Sequence, residues 1–552
     1  VQQQGADPSR AGRQEITSRR ADVPLRPGAA RPNYAEMTQM EKDLKEAGDF
    51  LGLRSNLLLK RVRSQIPVEN RPISLQKLRR ISEFVELKCS SSTWVDGRSG
   101  APIRNFREVN LYVLVHNVVC PVTAPVGFEE TPELASQKKT RSDGLIEVGE
   151  AIGTGIKYEG RFRLRFFRGK PGSSAAAATY TGALSEMWNG GPRSPRWFVS
   201  HWWGEPVVAF VACVVEHALA FELGDDEQYW ICAYANNQSC IEDELGDSPL
   251  ESPFCKALKI SRGALVVMDD KAVTVTRAWC ALENALVSHE GKEYAIATVE
   301  PTGKAVVMTL TPAPCDVKSA AEKYPAEVDR FAELHQTERQ KTFPAHLLAR
   351  ALRTDFETAE ASSSIDKAKI DKAVKDAFGG FEKANSRVRV MAAAALCCSG
   401  HFQELQQIRG VLRSAVDPFH ISCKTDVLAT VAGDGVLQSA SSITSQEPVV
   451  DTTMVDRIAD GVESCKLVRQ VKLFWQSSSV NDGGVARFFS KLPAKELQVL
   501  HVYLYATAIS DQTGTALGRT LSTSKATQVK LMLFDTKLTD NGGQALASGL
   551  DR

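Results

Sequence analysis

At 552 residues the chain is too long for a single hydrophobic core, and its length favours roughly three or four domains. Hydrophobic residues make up 43%, ordinary for globular material, and a formal net charge of +1 gives no global pull toward nucleic acid or an acidic membrane. The twelve cysteines are scattered, with no CxxC pair. That argues against a disulfide framework or a zinc site and fits a reducing, cytoplasmic setting.

Residues 1–34 are rich in Gln, Arg, Pro and Gly, with few large apolar groups, and are predicted to be disordered. They lack the apolar core of a signal peptide. The start at Val1 and an end inside a repeat are what a fragment would show. Residues 35–194 read as a helical and mixed region that packs on the domain after it. Leu51, Leu53, Leu57, Leu75, Leu78 and Ile81 carry helical spacing, broken at Pro67 and Pro72. An apolar block follows at 107–120. Arg161, Arg163 and Arg165 alternate with Phe162, Leu164 and Phe166, which predicts a half-buried strand with a solvated basic face. Phosphate or nucleic-acid contact is the functional alternative there. Gly149, Gly153 and Gly155 lack the third glycine of a dinucleotide fingerprint. The apolar run from Pro206 to Leu223 contains Glu216 and His217 and is short for a membrane span, so a buried helix is expected.

From 195 to 312 short apolar strands alternate with helical stretches. Strands are predicted at 196–200, 229–234, 263–268, 294–299 and 305–310, with helices at 207–221, 253–259 and 276–288. Such alternation specifies a parallel sheet covered by helices, with ligands beyond the carboxyl ends of the strands. Three segments carry a resemblance: Phe198-Val-Ser-His-Trp-Trp-Gly-Glu205, Trp230-Ile-Cys-Ala-Tyr-Ala-Asn-Asn-Gln238 and Arg277-Ala-Trp-Cys-Ala-Leu-Glu-Asn-Ala-Leu286. In order and spacing this region resembles TIR domains, and its second strand is also similar to heterokaryon-incompatibility domains. The resemblance implies a flavodoxin-like α/β fold. Some TIR domains hydrolyse NAD with the glutamate of the third motif, which falls on Glu283. NAD is then a substrate, and no permanently bound cofactor or metal is implied. Ser200, His201 and Glu205 lie where such a ligand would sit, and Trp202, Trp203 and Trp230 are candidates to stack on its rings. A carboxylate suits the oxocarbenium character of that cleavage. Other TIR domains keep the motif and act only in assembly, so a non-enzymatic, self-associating scaffold stands beside the hydrolase. The sequence departs from the family at His201-Trp202-Trp203 and in the acidic stretch of Glu242, Asp243, Glu244 and Asp247.

Residues 313–449 look predominantly helical and read as a connector. From 450 to 552 the chain repeats. Asp482, Asp511 and Asp540 stand at a period of 29, each preceded by a strand-like and followed by a helix-like segment. This resembles leucine-rich repeats of the ribonuclease-inhibitor type, an α/β solenoid whose curved strand face implies a protein partner. A degenerate capping repeat is expected near 450.

Overall fold

The computed structural model describes Phe50 and residues 66–551, apart from 92–93, 97–98, 124–137, 141–145, 149–181, 190, 239–240, 400–404, 434, 447–450 and 467. The expected disordered segment 1–34 and the arginine strand at 161–166 lie outside the described residues. The described residues belong to one compact unit, Leu44–Arg552. It is a mixed α/β structure with two parallel-rich sheets.

The first sheet contains β1 (Ile73–Ser74), β2 (Trp197–Ser200), β3 (Gln228–Trp230), β4 (Gly263–Val267), β5 (Glu293–Val299) and β6 (Ala305–Thr309). Their order is β1-β3-β2-β4-β5-β6. The middle pairs run parallel. Both edges are antiparallel, β1 against β3 and β6 against β5. An all-parallel sheet was expected; the chain instead turns back at Gly303 (φ +87°) after β5, and so short a turn permits only an antiparallel hairpin. The second strand is also shorter than the predicted 229–234, because Cys232–Ala235 closes into a helical turn.

Every residue of β2 is buried, as expected of a central strand with both faces covered. Helix α1 (Leu75–Lys88) packs on helix α2 (Val207–Ala220), which is apolar nearly all round and begins after Pro206, the predicted buried helix. Leu111 N–H bonds Trp203 O and Val207 N–H bonds Val109 O, so the apolar block at 107–120 is fastened to the loop after β2. On the other face lie α3 (Pro253–Ile260) and α4 (Ala278–His289). A Cβ on Gly263 would meet the Trp197 ring at 2.5 Å and Glu293 O at 2.8 Å, so β2, β4 and β5 approach this closely only with glycine there.

The second sheet is a parallel ladder of β7 (Phe419–Lys424), β8 (Ala440–Gln446), β9 (Gln470–Phe474), β10 (Val499–Tyr503) and β11 (Gln528–Met532). Val471, Leu500 and Val529 are in register, reproducing the period of 29. Ser477, Ala506 and Asp535, in the turn after each strand, all have positive φ, so the backbone repeats with the sequence. β7 and β8 fall within the segment read as a helical connector. The ladder therefore starts well before 450, with two strands whose outward residues are His420, Ser422, Ser442 and Thr444. Helix α5 (Val328–Gln340) lies against this ladder. Helix α6 (Phe381–Ser399) packs beside β7, and its Ala393 and Leu396 join one continuous core from Val266 and Ile296 to Ile443 and Leu500.

Candidate functional site

The sheet brings the residues of the first and third motifs together. Ser200 ends β2 and Glu283 lies mid-way along α4, and the Ser200 hydroxyl donates to Glu283 Oε2 at 2.5 Å. His201 follows, its ring 4.6 Å from that of Phe210 and its Nε2 3.8 Å from Cys232 Sγ. Trp203 Nε1–H donates to the same sulfur at 3.1 Å, and the Cys280 thiol donates to His201 O at 3.5 Å. The short helical turn after β3 supplies Cys232, while α4 supplies Cys280 beside Glu283. Cys232 and Cys280 stand inside the second and third motifs, but neither motif gives its thiol a part in the site.

The cluster is closed. Glu283 is 5% exposed, Ser200 2%, His201 5% and Glu205 3%. No cation is hydrogen-bonded to either carboxyl group among the described residues. Burial accordingly controls their protonation. It pushes Glu283 up to about 8, opposed only by the Ser200 hydrogen bond. Burial, then the nearby Asp269 carboxylate, raises Glu205 well above the carboxyl range. Burial drives His201 down to about 4 and holds Cys232 up at about 12. Burial thus pushes each of these groups toward its uncharged form: the two carboxyls, the imidazole and the Cys232 thiol. Among the described residues, Glu205 Oε1 is buried without a hydrogen-bond partner.

The tryptophans divide. Trp230 was a candidate ligand wall, but it is fully buried, stacked on Phe198 at 5.3 Å, edge-on to Phe254, and bonded through Nε1–H to Val68 O. It presents no face to a ligand. Trp203 is half-buried against Tyr112 with its N–H committed to Cys232. Trp202 is half-buried and folds over Gly204, where a Cβ would meet its ring at 2.2 Å. Of the acidic stretch, Glu244 turns inward: it pairs with buried Arg71 at 2.7 Å and accepts from Asn237 N–H at 2.7 Å, whereas Asp247 stays exposed. Arg71 also lies 3.5 Å from Glu186, so a cation is locked between two carboxylates beside the second motif.

Among the described residues, no helix is long and apolar enough to cross a membrane. The described cysteines are free thiols. No protein-family model matches the chain, and no curated protein matches it significantly.

Proposed function

We propose that the chain is a non-enzymatic interaction protein, in which a TIR-like domain serves assembly and leucine-rich repeats bind a protein partner. The observation carrying this reading is the burial of Glu283 behind Ser200. Cleavage of the nicotinamide–ribose bond needs an anionic carboxylate facing the developing cation. Here that carboxyl is buried and hydrogen-bonded to Ser200, and burial pushes it toward its neutral form. The flavodoxin-like assignment is supported by the parallel core β3-β2-β4-β5, which is the second-first-third-fourth order of that class. The repeat assignment is supported by the 29-residue register of β9, β10 and β11, each followed by a helix. Self-association through the TIR-like domain is the mode of assembly the TIR resemblance implies.

The test is nicotinamide release from NAD by the full chain, dilute and at high local concentration. None is expected in either condition. Release that disappears in Glu283→Ala would overturn the scaffold reading and establish the hydrolase, with Glu283 ionising once substrate opens the site.

A further inference from the structure

A helix packed on a sheet normally does so through an apolar stripe. The buried residues of α5 are instead Ala332, Glu333, Gln336 and Gln340. Much of what holds it is polar, and its C-terminal half is fastened to the first sheet as well as to the ladder. In the C-terminal half, Arg339 pairs with Asp316 at 2.9 Å and donates to Val307 O, while Gln336 donates to Thr309 O, all at the edge of the first sheet. The N-terminal half lies on the ladder.

Register sets Ser422, Thr444, Lys472, His501 and Lys530 side by side, one from each strand, as a single row on the face away from the ladder's own core. Asp329 Oδ2 lies 3.2 Å from His501 Nδ1 and 3.7 Å from Lys530 Nζ, and its Oδ1 lies 3.8 Å from Lys472 Nζ. One turn on, Glu333 Oε2 accepts from the Ser422 hydroxyl at 2.7 Å and from Gln446 Nε2 at 3.1 Å. Its other oxygen lies 3.8 Å from Lys472 Nζ. Thr337, a turn further, donates to Gln446 Oε1 at 3.0 Å. Positions 329, 333 and 337 form one stripe of the helix, and that stripe reads the row of the ladder. At the helix entry, Tyr505 OH bonds both Arg330 and Glu327.

We propose that this row is a binding surface for a helix displaying carboxylates four residues apart, and that the N-terminal half of α5 is its built-in occupant, which a partner's acidic helix replaces. The inference rests on the repeats being a protein-binding surface and adds the class of partner and the element that guards the site. The row supplies two lysines and a histidine, which match a pair of carboxylates. On the helix only Ala332 is a fully buried apolar side chain, with Val328, Phe331 and Leu334 half-buried, while Phe474 and Tyr503 are fully buried on the same face of the ladder two residues along from Lys472 and His501, so a replacing helix must cover these two rings as well as meet the cations. Because α5 is tethered, its effective concentration at the row is of millimolar order, and an outside helix must bind well below that to compete.

The experiment uses the full chain and a fluorescein-labelled peptide of residues 324–343 as probe. The parent chain is expected to bind it weakly. The double variant Asp329→Asn/Glu333→Gln in the chain is expected to bind the unaltered peptide roughly tenfold more tightly, and adding Lys472→Ala is expected to abolish that gain. A folded double variant that binds no better than the parent overturns the proposal. Should the double variant fail to melt cooperatively, hydrogen exchange on the parent decides: residues 328–335 are expected to exchange faster than 336–340, and equal protection overturns the proposal. Nicotinamide release alongside tight peptide binding would remove the scaffold reading and leave the exchangeable helix standing. Neither release nor binding would do the reverse.

Discussion

Glu283 and Glu333 are both carboxyl groups that a helix carries into the interior beside a parallel sheet, and burial raises both above their ordinary range. Their surroundings differ. Glu283 meets one hydroxyl and two thiol-bearing neighbours, inside packing that closes over it. Glu333 meets a lysine, a hydroxyl and an amide, each from a different strand of the ladder. A buried acid with no cation is best kept neutral and acts as a polar core residue, whereas one met by several donors specifies how two surfaces fit. The residue singled out by sequence motif is therefore the quiet one, and the residue with no motif sits in the designed contact.

That contrast is breakable. Glu333→Ala should have the largest effect, destabilising the chain by about 2 kcal/mol in urea, because it leaves the buried Ser422 hydroxyl without its acceptor and Lys472 with Asp329 alone. A loss no larger than that of a surface substitution would make the two carboxyls equivalent.

Glu283→Gln should sharpen the comparison through pH. The folded-state value near 8 exceeds the ordinary 4.5, so the acid form is preferred in the folded chain. Its contribution is fully present below pH 4.5 and is lost as pH rises toward 8. Across that window the parent should lose stability relative to Glu283→Gln as pH rises, then level off. Urea midpoints of both chains at pH 5, 6, 7 and 8 measure this, and a constant difference would place an ionised carboxylate at Glu283.

The smallest effect should come from the spine of the repeats. Asp482 accepts from Ser510 N–H at 2.8 Å and Thr513 N–H at 3.0 Å, fastening one repeat to the next. Asp482→Ala should cost about 1 kcal/mol, and Asp511→Ala, whose bonds to Thr539 lie at the solvent-exposed end, should cost less. The reverse order would mean that the terminal repeats carry the ladder.

The sequence was most readable where each residue's environment repeats. Helical runs near α2, α3 and α4 and the strand alternation of β2 to β6 follow from local apolar pattern, and the period of 29 follows from Asp482, Asp511 and Asp540. β7 and β8 were hidden for two reasons. Their outward residues (His420, Ser422, Ser442, Thr444) are polar, and the register steps from Ile421 to Ile443 and from Ile443 to Val471 depart from the later spacing. At the candidate site, the Ser200 and Glu283 pairing was foreshadowed by the motifs, but its closure was not. Whether Trp230 faces a ligand or a core depends on Val68, Phe198 and Phe254, which no local pattern links to it. The seat of α5 was equally unreadable, because Asp329 and His501 are far apart in sequence and look like ordinary surface residues.

The mixed footing of α5 has a thermal consequence. Heat capacity rises on unfolding mainly because apolar surface meets water. Lifting the first turns of this helix exposes carboxylates and lysines, and with them the buried rings of Phe474 and Tyr503 on the same face of the ladder. The step therefore carries a heat-capacity change of its own, smaller than that of global unfolding because far less apolar surface is uncovered. Its equilibrium will bend with temperature in the same sense as the whole chain, but more gently.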